Sequence, residues 1–469
     1  MHLTIPHPAV LGVLLAVLYV AGAAIAGMHA LLTKPDPRSA LGWIGVCWFF
    51  PLAGAVLYGL FGVNRVRTRA RQLRAGLTTG GAHAPVDVAP DGFGGQLAHI
   101  GDAVTRRPRL PGNAVELLEN GENAFPAMLA AIGEARKSVW LATYIFDTDP
   151  VGRGFIEALG AAAARGVQVR VLVDGLGEWY SWPHAVRLLR RVGVVAYRFL
   201  PPRLSWPALS LNLRNHRKLL LIDGHTGFVG GMNIGAREVG KGTHRRMADL
   251  HFRLCGPAVT QLAECFSADW LFASRESLAI PPYALARGDS VCRVITEGPD
   301  EDLEKLLFVM LGAISVAQRQ ILLMTPYFIP PPELTAALQG AALRGVEVCL
   351  VLPERSNLRF VDWATRRWLP PLLAQGVQIY LQPPPFSHTK LLVIDGRYAQ
   401  IGSANLDPRS LRLNFEIAVE IYDAKACGQL ASYVLSAREH ARAPVTTSAA
   451  RGLLGHLRDS VFWLFSPYL

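Results

Sequence analysis

Residues 215–235 read NHRKLLLIDGHTGFVGGMNIG, and residues 387–407 read SHTKLLVIDGRYAQIGSANLD. Both contain H-x-K-x4-D, with His216, Lys218 and Asp223 in the first and His388, Lys390 and Asp395 in the second. An apolar strand and a Gly-rich turn follow in each, reaching Asn233 or Asn405. One such pattern is weak evidence; two in the same apolar context are strong. A His and a Lys two residues apart project from one face of an extended chain. If the two copies pack about a pseudo-twofold, two imidazoles and two ammonium groups meet in one cleft. That set suits a phosphodiester. The lysines neutralise the non-bridging oxygens, one imidazole attacks phosphorus, and the other protonates the leaving alkoxide. An ordinary imidazole pKa of ~6.5 permits all of these roles near neutrality. No metal is expected. Asp223 and Asp395 fall on the opposite parity and read as supports. Asp249 in ADLHFRL and Glu416 in NFEIAVE each open a strand-like run, from where a carboxylate can fix the tautomer of a histidine.

Working outward, the motifs sit inside a larger repeat. AIGEARKSVWLATYIF leads to IEALGAAAARGVQVRVLVD in the first copy; AISVAQRQILLMTPYFIP leads to LTAALQGAALRGVEVCLVLP in the second. Helix-period stretches alternate with short β-rich runs, and a Gly before each run marks a helix stop. Such alternation predicts an α/β fold with a sheet between helices. Two domain-sized copies are expected, at 113–287 and 288–469.

The first 66 residues read differently. Val10–Leu32 and Leu41–Val63 are two runs without formal charge, joined by the polar, proline-bearing TKPDPRSA. About 20 apolar residues cross a bilayer as a helix, so a two-helix transmembrane hairpin is predicted over 1–66. The link carries two basic residues and residues 65–74 carry five arginines. Positive charge favours the cytoplasmic side, which puts the rest of the chain there. Those arginines also suit anionic headgroups. Residues 67–112, basic and then rich in Gly, Ala and Pro, read as a linker.

Composition narrows the class. The chain has 469 residues, 51% hydrophobic and 18% charged, with net charge +11. Roughly 25% charge is usual for soluble proteins, so the apolar excess points to a membrane-attached protein and excludes a disordered one. Residues 1–74 hold seven Lys and Arg against one acidic residue, which leaves the catalytic portion only mildly basic. A nucleic-acid partner is therefore not expected. The six cysteines are scattered without C-x-x-C spacing and read as reduced, mostly buried thiols.

The two H-x-K-x4-D motifs resemble those of the phospholipase D superfamily. The chain as a whole is similar to bacterial cardiolipin synthases, in YGLFGVNR, NHRKLLLIDG, FVGGMNIG, TPYFIP, GSANLDPRSLRLNFE and SPYL. That resemblance implies a membrane enzyme of the bacterial inner membrane, whose catalytic domains the arginine count places on the cytoplasmic side. It would join two molecules of phosphatidylglycerol, an anionic phospholipid, through a phosphatidyl-histidine, releasing glycerol and using no cofactor. It also implies His216, Lys218, Asp223, His388, Lys390 and Asp395 as catalytic residues, with Asn233, Ser403 and Asn405 beside the phosphate. The family's usual Trp-Arg before the first carboxylate is replaced by Met247-Ala248, with Arg245 and Arg246 just upstream. A hydrolase or an exchanger of another headgroup, including one with a phosphatidylethanolamine donor, differs only in the lipid or acceptor used. The apolar stretches at 204–213 and 453–468 are candidates for contact with the lipid interface.

Overall fold

Short runs rich in Val, Ile and Leu form sixteen strands among the described residues. The first eight are β1 Leu110–Glu119, β2 Ser138–Thr143, β3 Gln168–Asp174, β4 Val195–Phe199, β5 Leu219–Ile222, β6 Thr226–Gly230, β7 Met247–Ala248 and β8 Leu250–Cys255. The second eight are β9 Ser290–Glu297, β10 Gln320–Met324, β11 Glu347–Pro353, β12 Gln378–Gln382, β13 Phe386–Ser387, β14 Leu391–Ile394, β15 Tyr398–Gly402 and β16 Glu416–Tyr422. This computed structural model describes residues 8–34, 36–50, 52–62, 92–201, 213–240, 247–299, 302–441, 444–445 and 452–466. The arginine run 65–74 and Leu204, Trp206, Leu209, Leu211, Arg245, Arg246 and Tyr468 lie outside them.

The chain divides into two compact units, Met1–Ala70 and Arg71–Leu469. In the larger one, fourteen strands form one sheet in the order β12-β11-β10-β14-β15-β16-β9-β1-β8-β6-β5-β2-β3-β4. Outward from the antiparallel β9–β1 pair, the two halves run through their strands in the same order. In each, the outer three strands are parallel and the inner ones antiparallel. Parallel pairing needs crossover helices. Asp149 caps one of these, Pro150–Ala164, by accepting from the Gly152 amide at 3.0 Å. That helix and its counterpart Pro332–Leu343 stop before Gly166 and Gly345, both at φ +87°. Only glycine adopts this left-handed geometry without strain. Each half has its own apolar core. Phe155, Leu159, Val171 and Phe228 are buried in the first, and Leu338, Leu350, Ile394 and Tyr398 in the second.

The stretch read as a linker is partly structured, since Gly92–Thr105 is a helix. Its Leu97 is fully buried in the core of the second half, and Arg293 crosses so close to Gly101 that a Cβ there would lie 1.5 Å from the guanidinium. Four glycines in fourteen residues dilute the helical signal in the sequence. Leu213, grouped with the interfacial residues, is instead buried. The six cysteines are thiols outside any disulfide, and all but Cys255 are buried.

In the smaller unit, the helix Pro8–Thr33 holds a stretch, Gly12–Thr33, long and apolar enough to cross a bilayer. Asp36 caps the next helix, Pro37–Phe49, accepting from the Arg38 amide at 3.1 Å. The second apolar run is not one helix. It stops at Phe50, which takes an extended conformation (ψ 91°), and resumes at Ala53–Leu57. Phe50 precedes Pro51, and a residue before proline is pushed out of the α region. Thirteen residues rise about 20 Å, short of a ~30 Å hydrocarbon core, so a second crossing has to take in the helical pieces Ala53–Leu57 and Tyr58–Gly62 as well. The segments fold back on each other through Ala26, Ala30, Cys47 and Tyr58, with the Tyr58 hydroxyl 2.7 Å from His29 Nδ1.

The strands β5 and β14 end in clamps of the same design. Asp223, at φ 52°, accepts from the amides of Arg136, Lys137 and Ser138 at 2.7–2.9 Å. Asp395, at φ 53°, accepts from those of Gln318, Arg319 and Gln320 at 2.8–2.9 Å. Burial alone would raise the Asp223 carboxyl, but the three amides hold it below its ordinary value. Its contribution is therefore present at neutral pH and is lost as pH falls through the depressed folded value. Replacing Asp395 with Ala leaves three amide donors unpaired, at about 1–3 kcal/mol for each buried group. Thermal denaturation should show a melting temperature several degrees lower for Asp395→Ala and a smaller drop for Asp395→Asn. Unchanged melting would remove the clamp from the account.

Candidate active site

Each H-x-K segment is held by the opposite half of the sheet. Asn215 bridges Phe415 in parallel, and the His216 amide donates to the Phe415 carbonyl at 2.9 Å. In the other direction β13 pairs with β7, and the His388 amide donates to the Ala248 carbonyl at 2.7 Å. Phe415 immediately precedes Glu416, and Ala248 immediately precedes Asp249. The backbone register thus delivers each histidine to a carboxylate of the other half. His216 Nδ1 lies 3.0 Å from the Glu416 carboxylate, and His388 Nδ1 lies 2.9 Å from Asp249 Oδ2. With Nδ1 occupied, Nε2 is the reactive nitrogen of each ring.

The lysines fold back over their own histidines. Lys218 Nζ donates to the His216 carbonyl at 2.7 Å; Lys390 Nζ donates to the His388 carbonyl at 2.5 Å and lies 2.8 Å from its Nδ1. Tyr144 stands edge-on to His216, with ring centroids 5.2 Å apart, and Tyr327 stands edge-on to His388 at 6.4 Å. The two tyrosines come from the ATYIF and TPYF stretches of the repeat, yet nothing in those stretches pointed to them as neighbours of the site.

The two carboxylates differ in their support. Glu416 also accepts from the Ser403 hydroxyl at 2.5 Å and from Asn414 Nδ2 at 3.2 Å. Burial would raise its carboxyl, but His216, Lys218 and these bonds outweigh it and hold it below its ordinary value. Asp249 accepts from the Leu250 amide at 2.7 Å, and burial pushes it up to about 6 despite Lys390. Gly231 leaves it room, since a Cβ there would lie 2.4 Å from Oδ2. Both imidazoles are lowered by burial. His388 is lowered further, because Lys390, Lys218 and His216 all oppose its protonation, while Glu416 favours protonation of His216. Burial also brings Lys218 down to about 7 and Lys390 to about 8.

Other residues named from the sequence fall around this centre. Asn233 Oδ1 accepts from the Ile145 amide at 3.1 Å, which fixes the strand end beside Tyr144. Ser403 supports Glu416, and Asn405 is buried with its carbonyl oxygen unpartnered. Asp223 and Asp395 stand apart from the histidines and lysines. Each is separated from its lysine by a four-residue strand, roughly 13 Å, and is spent on the amide clamps described above.

Several buried residues escaped the sequence reading. Arg217, between the His and Lys of the first motif, contacts Asp269 at 2.7 and 2.8 Å and donates to the Glu416 carbonyl at 2.9 Å. It thereby ties the two halves together beneath the site. Asp174 accepts from the Asn215 amide at 2.9 Å and from Arg214 at 3.2 Å. Glu238, pushed up to about 8 by burial and by Asp249, receives the Asn233 amide at 3.2 Å. Spacing alone links none of these to the motifs. A separate cavity of about 980 Å³ between β1 and the helix Ala424–His440 includes none of the histidines or lysines of the motifs.

Two lysines and two imidazoles brought together are a set able to serve phosphoryl transfer, and comparisons with known proteins point to the same chemistry. The family model described as "Cardiolipin synthase, PLD-like domain" matches residues 128–270 and 310–437. The chain is 33% identical over 456 residues to a cardiolipin synthase of Geobacillus thermodenitrificans, covering 93% of this chain and 90% of that one. It is 34% identical to cardiolipin synthase A of Pseudomonas aeruginosa, covering 90% and 88%. Among solved structures, a phosphatidylserine synthase of Haemophilus influenzae shares the fold at a TM-score of 0.60 and 13% identity, over 80% of this chain and 98% of that one. The protein belongs to the cardiolipin synthase family of PLD-like enzymes.

The lysine values carry a pH dependence. An anion binds the charged ammonium form, so affinity is highest below the lysine values and falls as pH rises through them. Calorimetry with dimethyl phosphate, whose own charge is constant here, should show weakening from about pH 7, where Lys218 loses its proton, and a steeper fall above about pH 8, where Lys390 does too. The slope is about tenfold per unit for each ammonium that must be recharged. Lys390→Met should lose most of the affinity, and a flat profile between pH 7 and 9.5 would contradict the assignment.

Proposed function

We propose that the chain transfers a phosphatidyl group between two phosphatidylglycerol molecules, giving cardiolipin and glycerol through a phosphatidyl-histidine. The observation that carries this reading is the reciprocal pairing of His216 with Glu416 and His388 with Asp249. Nε2 of one imidazole attacks phosphorus as the bond to the glycerol headgroup breaks, and the other imidazole, protonated, gives its proton to the departing glycerol oxygen. The hydroxyl of a second phosphatidylglycerol then attacks the phosphoramidate. The second imidazole takes its proton, the P–N bond breaks, and both rings return to their starting state. Lys218 and Lys390 balance the charge on the non-bridging oxygens throughout. Glu416 and Asp249 hold each ring in the tautomer with Nε2 free and stabilise the imidazolium form.

The same reading takes residues 113–287 and 288–469 as two domains related by a pseudo-twofold axis. The matching strand order supports it. It takes the N-terminal unit as a two-pass anchor in the bacterial inner membrane with the catalytic domains cytoplasmic. The apolar helix Pro8–Thr33 and the arginine count after residue 64 support this.

Product analysis tests the transfer directly. Purified protein with phosphatidylglycerol vesicles should yield cardiolipin and free glycerol by mass spectrometry. Phosphatidic acid as sole product would mean that water is the acceptor. Cardiolipin appearing only when phosphatidylethanolamine is added would change the donor. His216→Ala and His388→Ala should each lower turnover at least a thousandfold, and appreciable activity in either would sink the two-histidine scheme. Glu416→Gln and Asp249→Asn should lose roughly tenfold to a hundredfold.

A further inference from the structure

The helix Leu453–Leu464 is apolar on two faces. One face packs inward: Phe462 lies on Trp363 with ring centroids 4.7 Å apart, Trp463 lies 6.3 Å from Trp368, and Arg458 sits 4.8 Å over the Trp363 ring. The other face, at positions 454, 457, 461 and 464, repeats at helical spacing and points outward. Leu454 is 82% exposed, Leu464 67%, Leu457 53% and Val461 49%, with Leu453 beside them at 75%. A helix apolar on both sides belongs in an apolar medium on both sides. The exposed charges of the adjoining 355–367 segment are Arg355, Arg359 and Arg367, while Asp362 turns inward to the Ser356 amide at 3.1 Å. Leu358 and Phe360 are exposed among them.

The inner face of this helix is packed onto the region beside the cleft. Tyr327, edge-on to His388, packs against the buried cluster of Ile329, Val361 and Ala364, as does Phe462, and the Tyr327 hydroxyl donates to Asn357 at 2.7 Å. On the His216 side a second apolar patch begins one ring away. Tyr144 lies 6.4 Å from Tyr180, which is flanked by Trp179 and Trp182, exposed at 65% and 76%. Each histidine is therefore linked through one tyrosine to an exposed apolar surface, one from each half.

We propose that these two patches form a docking face that seats the mouth of the cleft on the surface of an anionic phospholipid bilayer, so that substrate enters without crossing water. The proposal rests on the phospholipid-transferring reading above. Tryptophan and leucine at an interface, rimmed by arginine, match the chemistry of headgroup and upper acyl chain. A second copy of the chain fits less well. An isologous contact through this face sets its arginines against one another, and like charges repel.

The test uses the full chain. Leu457→Cys in a Cys255→Ser background, labelled with an environment-sensitive fluorophore, is reconstituted into vesicles of phosphatidylglycerol and brominated phosphatidylcholine. Its emission should shift to the blue and be quenched by the bromines, while a label at Ser432→Cys should stay water-like. The triple variant Leu454→Asp, Leu457→Asp, Leu464→Asp should lose at least tenfold in turnover on vesicles. It should keep its melting temperature and its turnover of short-chain phosphatidylglycerol dispersed as monomers. An unquenched Leu457 label overturns the proposal, as does equal loss on both substrates or full activity on vesicles. A halved particle mass in the triple variant assigns the face to a second copy instead. If the parent protein makes no cardiolipin from monomeric substrate, the catalytic reading fails and the quenching alone decides the docking.

Discussion

The site depends on a crossed register. Two short parallel pairings, Asn215 with Phe415 and Ser387 with Ala248, set each motif histidine one residue from a carboxylate on the other half. Neither half is complete alone. The first supplies the ring of one pair and the carboxylate of the other, and the second does the same in reverse. Burying two imidazoles, two ammonium groups and two carboxylates costs several kcal/mol per unpaired ion. The crossing ensures that each ring has its partner within hydrogen-bond reach. It also explains why β1 and β9 join the halves into one sheet, since relative movement of the halves would break both pairs at once.

Within this shared plan the halves are unequal, and the inequality has chemical content. Glu416 is surrounded by the Ser403 hydroxyl, the Asn414 amide and His216, and is kept ionised. Asp249 has fewer donors, lies near Glu238 and is raised. The residue between His and Lys differs too. Arg217 is locked to Asp269, whereas Thr389 has a buried hydroxyl without a partner. Under the proposed mechanism the two groups alternate as acid, base and nucleophile, and their environments separate their protonation states. An exact copy of one half would push both rings alike.

Much of this was legible in the sequence, because the chemistry repeats. The doubled H-x-K, the strand that follows it and the α/β alternation are local features with definite periods. Asp249 and Glu416 could be named because each opens a strand. Their exchange between halves could not, since it joins residues 139 and 200 positions apart through bridges one or two residues long. Arg217–Asp269 and Asp174–Arg214 were hidden for the same reason. The helix Gly92–Thr105 was masked by its glycines, of which Gly101 makes room for the close passage of Arg293. The second apolar run counted long enough to span, but Pro51 breaks its helix. Asp223 and Asp395 show the reverse error. Motif membership suggested reaction chemistry, while strand parity had already turned both residues away from the cleft.

Burial also explains why lysines serve here. Desolvation opposes their charge, and the neighbouring carboxylates offset only part of that penalty. A phosphodiester entering the cleft brings the missing negative charge to both ammonium groups and raises their proton affinity. Substrate binding and lysine protonation are therefore mutually reinforcing. A neutral acyl chain alone cannot do this, nor can a zwitterionic headgroup whose own cation competes for the phosphate. Burial itself would thus favour an anionic diester, before any contact with the rest of the lipid is considered.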